Sequence, residues 1–166
     1  MLPGTNSPHR LAGPMLHIQR LDHRQPATAR QILALLGSAH AQESRNIGAE
    51  PELQQGCEQI VDSADIHIGA LEDEDLIGVV VVGPDDDPGQ LALKWLAVRE
   101  DCQRRGIARA LVQQVLSSGI ANFAVTVAAR NAGALALYAE LGFLPYRQGS
   151  LGVQEIPVVK LRRSAG

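Results

Sequence analysis

The six residues Gln103-Arg104-Arg105-Gly106-Ile107-Ala108 join an apolar stretch ending at Val98 to an amphipathic one running from Ile107 to about Leu116. A strand that passes through a basic glycine turn into a helix is an anion cradle. The first amides of a helix lack intrahelical acceptors, and the helix dipole adds partial positive charge where they converge. Phosphate is the guest such a cradle suits. Gly106 admits a ligand without a side chain in the way, and Arg104, Arg105 and Arg109 supply positive charge. A second chemically capable group follows in Asn131-Ala-Gly-Ala-Leu-Ala-Leu-Tyr138-Ala-Glu-Leu-Gly142-Phe143. Asn131 is placed to cap a helix. Tyr138 lies two turns further, on the face of Ala134, Leu135 and Leu141. Its phenol, with an ordinary pKa of about 10, is either a core side chain or a proton donor at neutral pH.

Gln103 to Ala108 resembles the Gln/Arg-x-x-Gly-x-Gly/Ala signature of the GCN5-related N-acetyltransferases (GNAT family). Asn131 to Phe143 resembles that family's second hallmark, an Asn opening a helix that ends in Tyr-x-x-x-Gly-Phe. Both occur in the family's order and at its usual separation, and with their flanks the resemblance covers roughly Met15 to Leu161. It implies transfer of the acetyl group of acetyl-coenzyme A to a primary amine of a small molecule or of a protein or peptide, by direct attack in a ternary complex. It also implies the acyl-CoA N-acyltransferase fold, an α/β (α+β) arrangement whose mixed, mostly antiparallel sheet of about seven strands has helices on both faces. In that fold the strand before the cradle carries a bulge and splays from its neighbour, leaving amides free to pair with pantetheine. Here those groups belong to Leu96, Ala97 and Val98, and one N–H would point at the thioester oxygen. The implied coenzyme-binding set is Leu96, Ala97, Val98, Gln103, Arg104, Arg105, Gly106, Ile107, Ala108, Asn131 and Tyr138. Tyr138 would be the general acid toward a thiolate whose conjugate acid lies near that of cysteine, about 8.5.

The chain departs from the family pattern at the base. Many members carry a glutamate on the strand equivalent to Gln90 to Val98, which here offers only Gln90, Lys94 and Trp95 as polar-capable side chains. A base would come from Glu43, the preferred candidate, or from His40 or His67, acting through water; an amine arriving neutral would need none. Arg99-Glu100-Asp101 occupies a turn where relatives often have proline, and Ala108 replaces the commoner glycine, so its Cβ tightens the approach to pyrophosphate. Trp95 either fills the core or lines the acceptor groove. His40 and Glu43 are spaced i and i+3 without a third ligand nearby, so no metal is expected. Asp85-Asp86-Asp87 lacks the alternating ligands of a calcium loop and reads as a solvated turn.

These groups need a scaffold, and the periodicities supply one. Leu16 to Arg20 reads as a strand, and Pro26 opens a helix with Ile32, Leu33, Leu35, Leu36 and Ala39 on its apolar stripe. Ala41 to Glu50, polar and without periodicity, reads as a specificity loop before a second helix opened by Pro51, with Leu53, Cys57, Ile60 and Val61 inward. Ile66 to Leu71 and Leu76 to Val82 form a hairpin, followed by strands at Gln90 to Val98 and Phe123 to Ala129 and two more near Leu144 to Ser150 and Val153 to Leu161. Periodicity alone supports an α/β or α+β domain.

With 166 residues the chain suits one domain, expected over residues 15–166. Residues 1–14 hold three prolines, two glycines and no apolar run, and are read as a disordered leader rather than a secretory signal. A net charge of −3 disfavours nucleic acid as a partner, and the absence of an apolar run of about 20 residues disfavours membrane insertion. Cys57 and Cys102 suggest neither a disulfide framework nor a metal knuckle, which fits a reducing cytoplasm. The missing strand carboxylate keeps open a non-catalytic acyl-CoA-binding sensor or interaction module on the same fold. A P-loop is excluded, since Gly-x-x-x-x-Gly-Lys-Ser/Thr does not occur. The C-terminal edge strands could support a homodimer.

Overall fold

The structure is a computed structural model and describes residues 15–48, 56–120 and 122–164. Its elements run β1 (Leu16–Arg20), α1 (Pro26–Ile47), α2 (Cys57–Asp62), β2 (Ile66–Glu72), β3 (Asp75–Pro84), β4 (Leu91–Val98), a 3-10 turn (Glu100–Cys102), α3 (Ile107–Leu116), β5 (Asn122–Ala128), α4 (Ala132–Glu140), β6 (Leu144–Leu151) and β7 (Ile156–Ser164). The strands form one seven-stranded sheet in the order β1-β2-β3-β4-β5-β7-β6. Every neighbouring pair is antiparallel except β4 and β5. This is the mixed, mostly antiparallel sheet expected of the acyl-CoA N-acyltransferase fold.

Helices cover both faces. The unbroken apolar run of β3 follows from its place between β2 and β4, where both faces are buried. On one face Ile77, Val80, Phe123 and Val125 pack with Ile107 and Leu111 of α3 and with Tyr138 of α4. On the other, Val79, Val81 and Ala97 pack with Ile32 and Leu36 of α1 and Ile60 of α2.

Three boundaries differ from the sequence reading. Helix α1 continues through most of the expected loop to Ile47, where Gly48 closes it in the left-handed conformation (φ +70°) and donates its N–H to Ser44 O at 3.0 Å. Ala41, Gln42, Glu43 and Arg45 are good helix formers. They show no apolar stripe because this part of α1 borders a groove instead of the core. The helix that carries Cys57, Ile60 and Val61 begins at Cys57, not Pro51, because Gly56 is extended (φ −118°, ψ 174°) and serves as its N-cap; Pro51 and Leu53, like the leader 1–14, lie outside the described residues. Strand β7 starts at Ile156, not Val153, because a turn with Gly152 at φ +71° and Glu155 at φ +49° intervenes and leaves Val153 92% exposed. The acidic turn is also not simply solvated: Asp85 and Asp87 are ion-paired with Lys160. No helix among the described residues is long and apolar enough to cross a membrane.

Candidate active site

The site originates in the one parallel pair of the sheet. β4 and β5 are in register only at Leu91 with Phe123 and Ala92 with Ala124. β4 also carries an extra residue, Lys94, because Val81 of β3 faces Trp95 while Val82 faces Leu93. β5, in contrast, is paired with β7 along its whole length. From Leu93 onward the β5-side edge of β4 has no strand partner, so the expected splay is present and Leu96, Ala97 and Val98 stand beside the resulting opening.

Two adjoining clefts fill that opening. One of about 260 Å³ lies between α1 and the end of β4, with Leu96, Ala97, Val98, Gln103, Glu43 and Asn131 in its walls. The other, of about 390 Å³, continues between Trp95 and Leu96 of β4, Thr126 and Ala128 of β5, and Ile156 and Val158 of β7, with Tyr138 at its wall. His40, Glu43, Trp95, Leu96 and Asn131 border both. Trp95 packs against the α1 core cluster and also borders both clefts.

At the end of β4 the chain turns through Glu100–Cys102 into the cradle. Arg104 (φ +65°) and Gly106 (φ +79°) are left-handed. Gly106 is the N-cap of α3 and, having no side chain, leaves the Ile107, Ala108 and Arg109 amides without an intrahelical acceptor. A Cβ on Gly106 would meet nothing within 4 Å, so it is φ and not packing that calls for glycine there, and the space beside it is open. Ile107 is buried and anchors the helix, whereas Ala108 is half-buried. Gln103 exchanges side-chain hydrogen bonds with Gln42 of α1 at 2.8 and 3.2 Å and donates to Val98 O at 3.2 Å, tying the cradle to α1 and to the β4 edge.

The arginines are not equivalent. Arg105 is paired with Glu72 and Arg109 with Glu140, while Arg104 has no carboxylate partner among the described residues. The hydrogen bond from Arg105 holds the Glu72 carboxyl below its ordinary range. The positive field expected from all three is therefore largely neutralised in pairs, leaving Arg104 and the backbone amides.

Asn131 caps α4 as expected: its Oδ1 accepts from Ala134 N at 3.1 Å. Its Nδ2 donates to Glu43 Oε2 at 2.9 Å, so the two predicted residues meet across the cleft. Tyr138 is 3% exposed and packs edge-on against Phe143 at 5.3 Å. Its hydroxyl has no hydrogen-bond partner among the described residues, and burial pushes the phenol well above its ordinary pKa.

One base candidate is removed. His67 borders neither cleft; it is buried, stacked on His23 at 4.2 Å, with Nδ1 3.2 Å from Asp65 O. Burial, and then the neighbouring His23, lower its pKa. Glu43 and His40 do face the site. The groove wall formed by Thr126, Ile156 and Val158 was not legible in the sequence, because none of these types is reactive and only the β5/β7 register brings them there.

Comparison with known proteins gives the same picture. Residues 31–143 match the model of the Acetyltransferase (GNAT) family. No curated protein matches the sequence. Among solved structures, the fold is similar to the ribosomal-protein-S18-alanine N-acetyltransferase of Escherichia coli (TM-score 0.71, 18% identity, 92% of this chain and 95% of that one). It is also similar to PaiA N-acetyltransferase of Thermoplasma acidophilum in complex with coenzyme A (0.67, 14%, 90% and 99%). A third similar structure is NAA60 of Arabidopsis thaliana in complex with a bisubstrate analogue (0.67, 20%, 92% and 99%).

Proposed function

Because the chain belongs to the GNAT acetyltransferase family, we propose that it transfers the acetyl group of acetyl-coenzyme A to a primary amine of a small molecule, peptide or protein, by direct attack in a ternary complex. The observation that carries this reading is the unpartnered edge of β4, which runs from the groove bearing Tyr138 and Glu43 to the uncapped start of α3.

The residues present fit the coenzyme. An extended pantetheine arm can add to the free β4 edge as a strand would, and a pyrophosphate can occupy the open space beside Gly106. Leu96, Ala97 and Val98 would hold the arm, Ile107 and Ala108 would offer amides to phosphate, and Arg104 would supply the one unpaired charge. Gln103 acts here by fixing the cradle to Val98 and α1. Acetyl-coenzyme A supplies an acetyl group activated as a thioester. An N–H of the β4 edge would polarise its carbonyl, a donor fixed in place before the reaction and so paying no reorganisation cost.

Glu43 is held by Asn131 at the junction of the two clefts, where its carboxylate attracts an ammonium and can take its proton through water. Asn131 can serve the coenzyme arm while still holding Glu43, since its Nδ2 keeps a second N–H and its Oδ1 a second lone pair. Tyr138 keeps its proton throughout the physiological range and, with a hydroxyl bound to nothing else, is free to donate to the departing sulfur. The similarity to the ribosomal-protein-S18-alanine N-acetyltransferase of Escherichia coli supports an amine acceptor.

Calorimetric titration with acetyl-coenzyme A and dephospho-coenzyme A, followed by a thiol-release screen over mixed amines, tests the proposal. Binding with release on at least one amine is expected. Binding without release on any amine would favour a non-catalytic acyl-CoA-binding module, and no binding would overturn the cradle.

A further inference from the structure

At the end of the β4/β5 fork opposite the clefts lies a polar cluster with no part in the roles above. Asp85 Oδ2 accepts from Lys160 Nζ at 2.9 Å, from Gln90 Nε2 at 2.8 Å and from Asp87 N at 3.0 Å. Asp87 Oδ2 accepts from the Tyr146 hydroxyl at 2.7 Å and from Lys160 Nζ at 3.3 Å, with Arg147 Nη2 at 3.2 Å. The Asp85 and Lys160 side chains are only 7% and 12% exposed.

Its members come from both sides of the fork. Asp85, Asp87 and Gln90 belong to the β3–β4 connection, Tyr146 to β6 and Lys160 to β7, while β5, between them in the sheet, contributes none. Besides this cluster, the halves β1–β4 and β5–β7–β6 are joined by the two registered positions at Leu91 and Ala92, by a hydrogen bond from Asn122 Nδ2 of β5 to Gly89 O at 3.4 Å, and by the core and helices packed on their faces. Lys160 stands directly opposite Thr126, a residue of the groove wall, and opposed residues project to the same face of a sheet.

We propose that the Lys160–Asp85–Asp87–Tyr146 cluster pins the closed end of the fork and sets its opening angle, making Lys160 a positioning residue for acetyl transfer. This rests on the transferase reading above. Leu96 and Val98 lie four and six residues beyond Ala92, about 13–20 Å from the apex at the rise of a strand. A rotation of roughly 5° about the apex moves them by roughly 1–2 Å, and a 1 Å misplacement can cost about a hundredfold in rate. The coenzyme contacts lie on the β4 and α3 side, whereas Ile156 and Val158 of the acceptor wall lie beyond β5, so a looser fork disturbs alignment more than coenzyme binding.

The chain's single tryptophan, Trp95, borders the groove and reports on its opening. Lys160→Met leaves Asp85 and Asp87 repelling each other without their ammonium. It should raise acrylamide quenching of Trp95 and lower kcat at least tenfold, with the KM for acetyl-coenzyme A changed no more than about threefold. Lys160→Arg, which keeps the charge, should restore both readouts. Tyr146→Phe, which removes only the hydroxyl that donates to Asp87 and accepts from Gln90 Nε2, should shift both in the same direction by less, and it decides the matter if Lys160→Met does not fold. A lower Tm with Trp95 quenching and kcat unchanged would reduce the cluster to a structural ion pair and overturn the pin. Were the wild type to bind no coenzyme and release no thiol, the transferase reading would fall, while Trp95 quenching would still decide whether the cluster sets the fork.

Discussion

Tyr138→Phe separates chemistry from packing with unusual sharpness, because the substitution removes one atom whose surroundings are known. The ring is 3% exposed and packs edge-on against Phe143, contacts that phenylalanine keeps. The hydroxyl has no protein partner among the described residues but borders the groove and is not fully sealed from it, so the native state bears only part of the cost of desolvating it without a hydrogen bond. That cost is about 1–3 kcal/mol for a fully buried group, less where the groove admits water. The variant should therefore be as stable as the parent or up to about 1 kcal/mol more stable. A positioned general acid contributes about 10²–10⁴ in rate, equivalent to about 3–5 kcal/mol of transition-state stabilisation. The expected signature is kcat reduced by about 10²–10⁴, acetyl-coenzyme A affinity within about threefold and Tm unchanged or raised. Steady-state thiol release, calorimetric titration and differential scanning calorimetry read the three quantities. A matched fall in kcat and Tm would make Tyr138 a packing residue, and a kcat within threefold of the parent would remove it from the chemistry. Because burial raises the phenol's pKa, any alkaline limb due to Tyr138 must lie above pH 10, and a limb below pH 9 belongs to another group.

Three further outcomes follow from the same geometry. Gly106→Ala places no atom within 4 Å of a neighbour but forces a side chain into φ +79°, and should cost about 1–2 kcal/mol of stability; Gly106→Glu should add a loss of acetyl-coenzyme A affinity beyond that of Ala, and equal affinities for Glu, Ala and the parent by calorimetry would abolish the cradle. Glu43→Gln still offers an oxygen to Asn131 and should lower kcat about tenfold or more with acetyl-coenzyme A affinity within about threefold; an unaltered kcat would show that Glu43 is not the base. The depressed pKa of His67 means that the unfolded chain binds the extra proton first, so its contribution to stability is fully present above pH 6.5 and is lost progressively as pH falls from there through the lower pKa of the folded state. Tm should therefore drop between pH 7.5 and 5, and His67→Phe, which can still stack on His23, should flatten the slope; an identical slope in thermal scans would assign the acid sensitivity elsewhere.

The sequence by itself determined the cradle, the capping of α4 and the placement of Tyr138, because each depends on local rules. A glycine is needed where φ is positive, an Asn satisfies the first amides of a helix, and residues three, four or seven apart share a helix face. Periodicity likewise located most strands and the core stripe of α1. It failed at Ala41 to Ile47, where helix faces water and groove, and apolar periodicity vanishes although the backbone does not change. Only the tertiary structure decided which distant groups meet. It placed Glu43 on Asn131 across 88 residues, sent His67 to a stack with His23, paired two cradle arginines with Glu72 and Glu140, and turned an acidic turn into the partner of Lys160. The divergence of β4 from β5 makes the groove, and the register of β7 supplies its far wall. Neither has a local signature, since both arise from how strands far apart in the chain pair, and pairing is settled by the packing of the whole sheet.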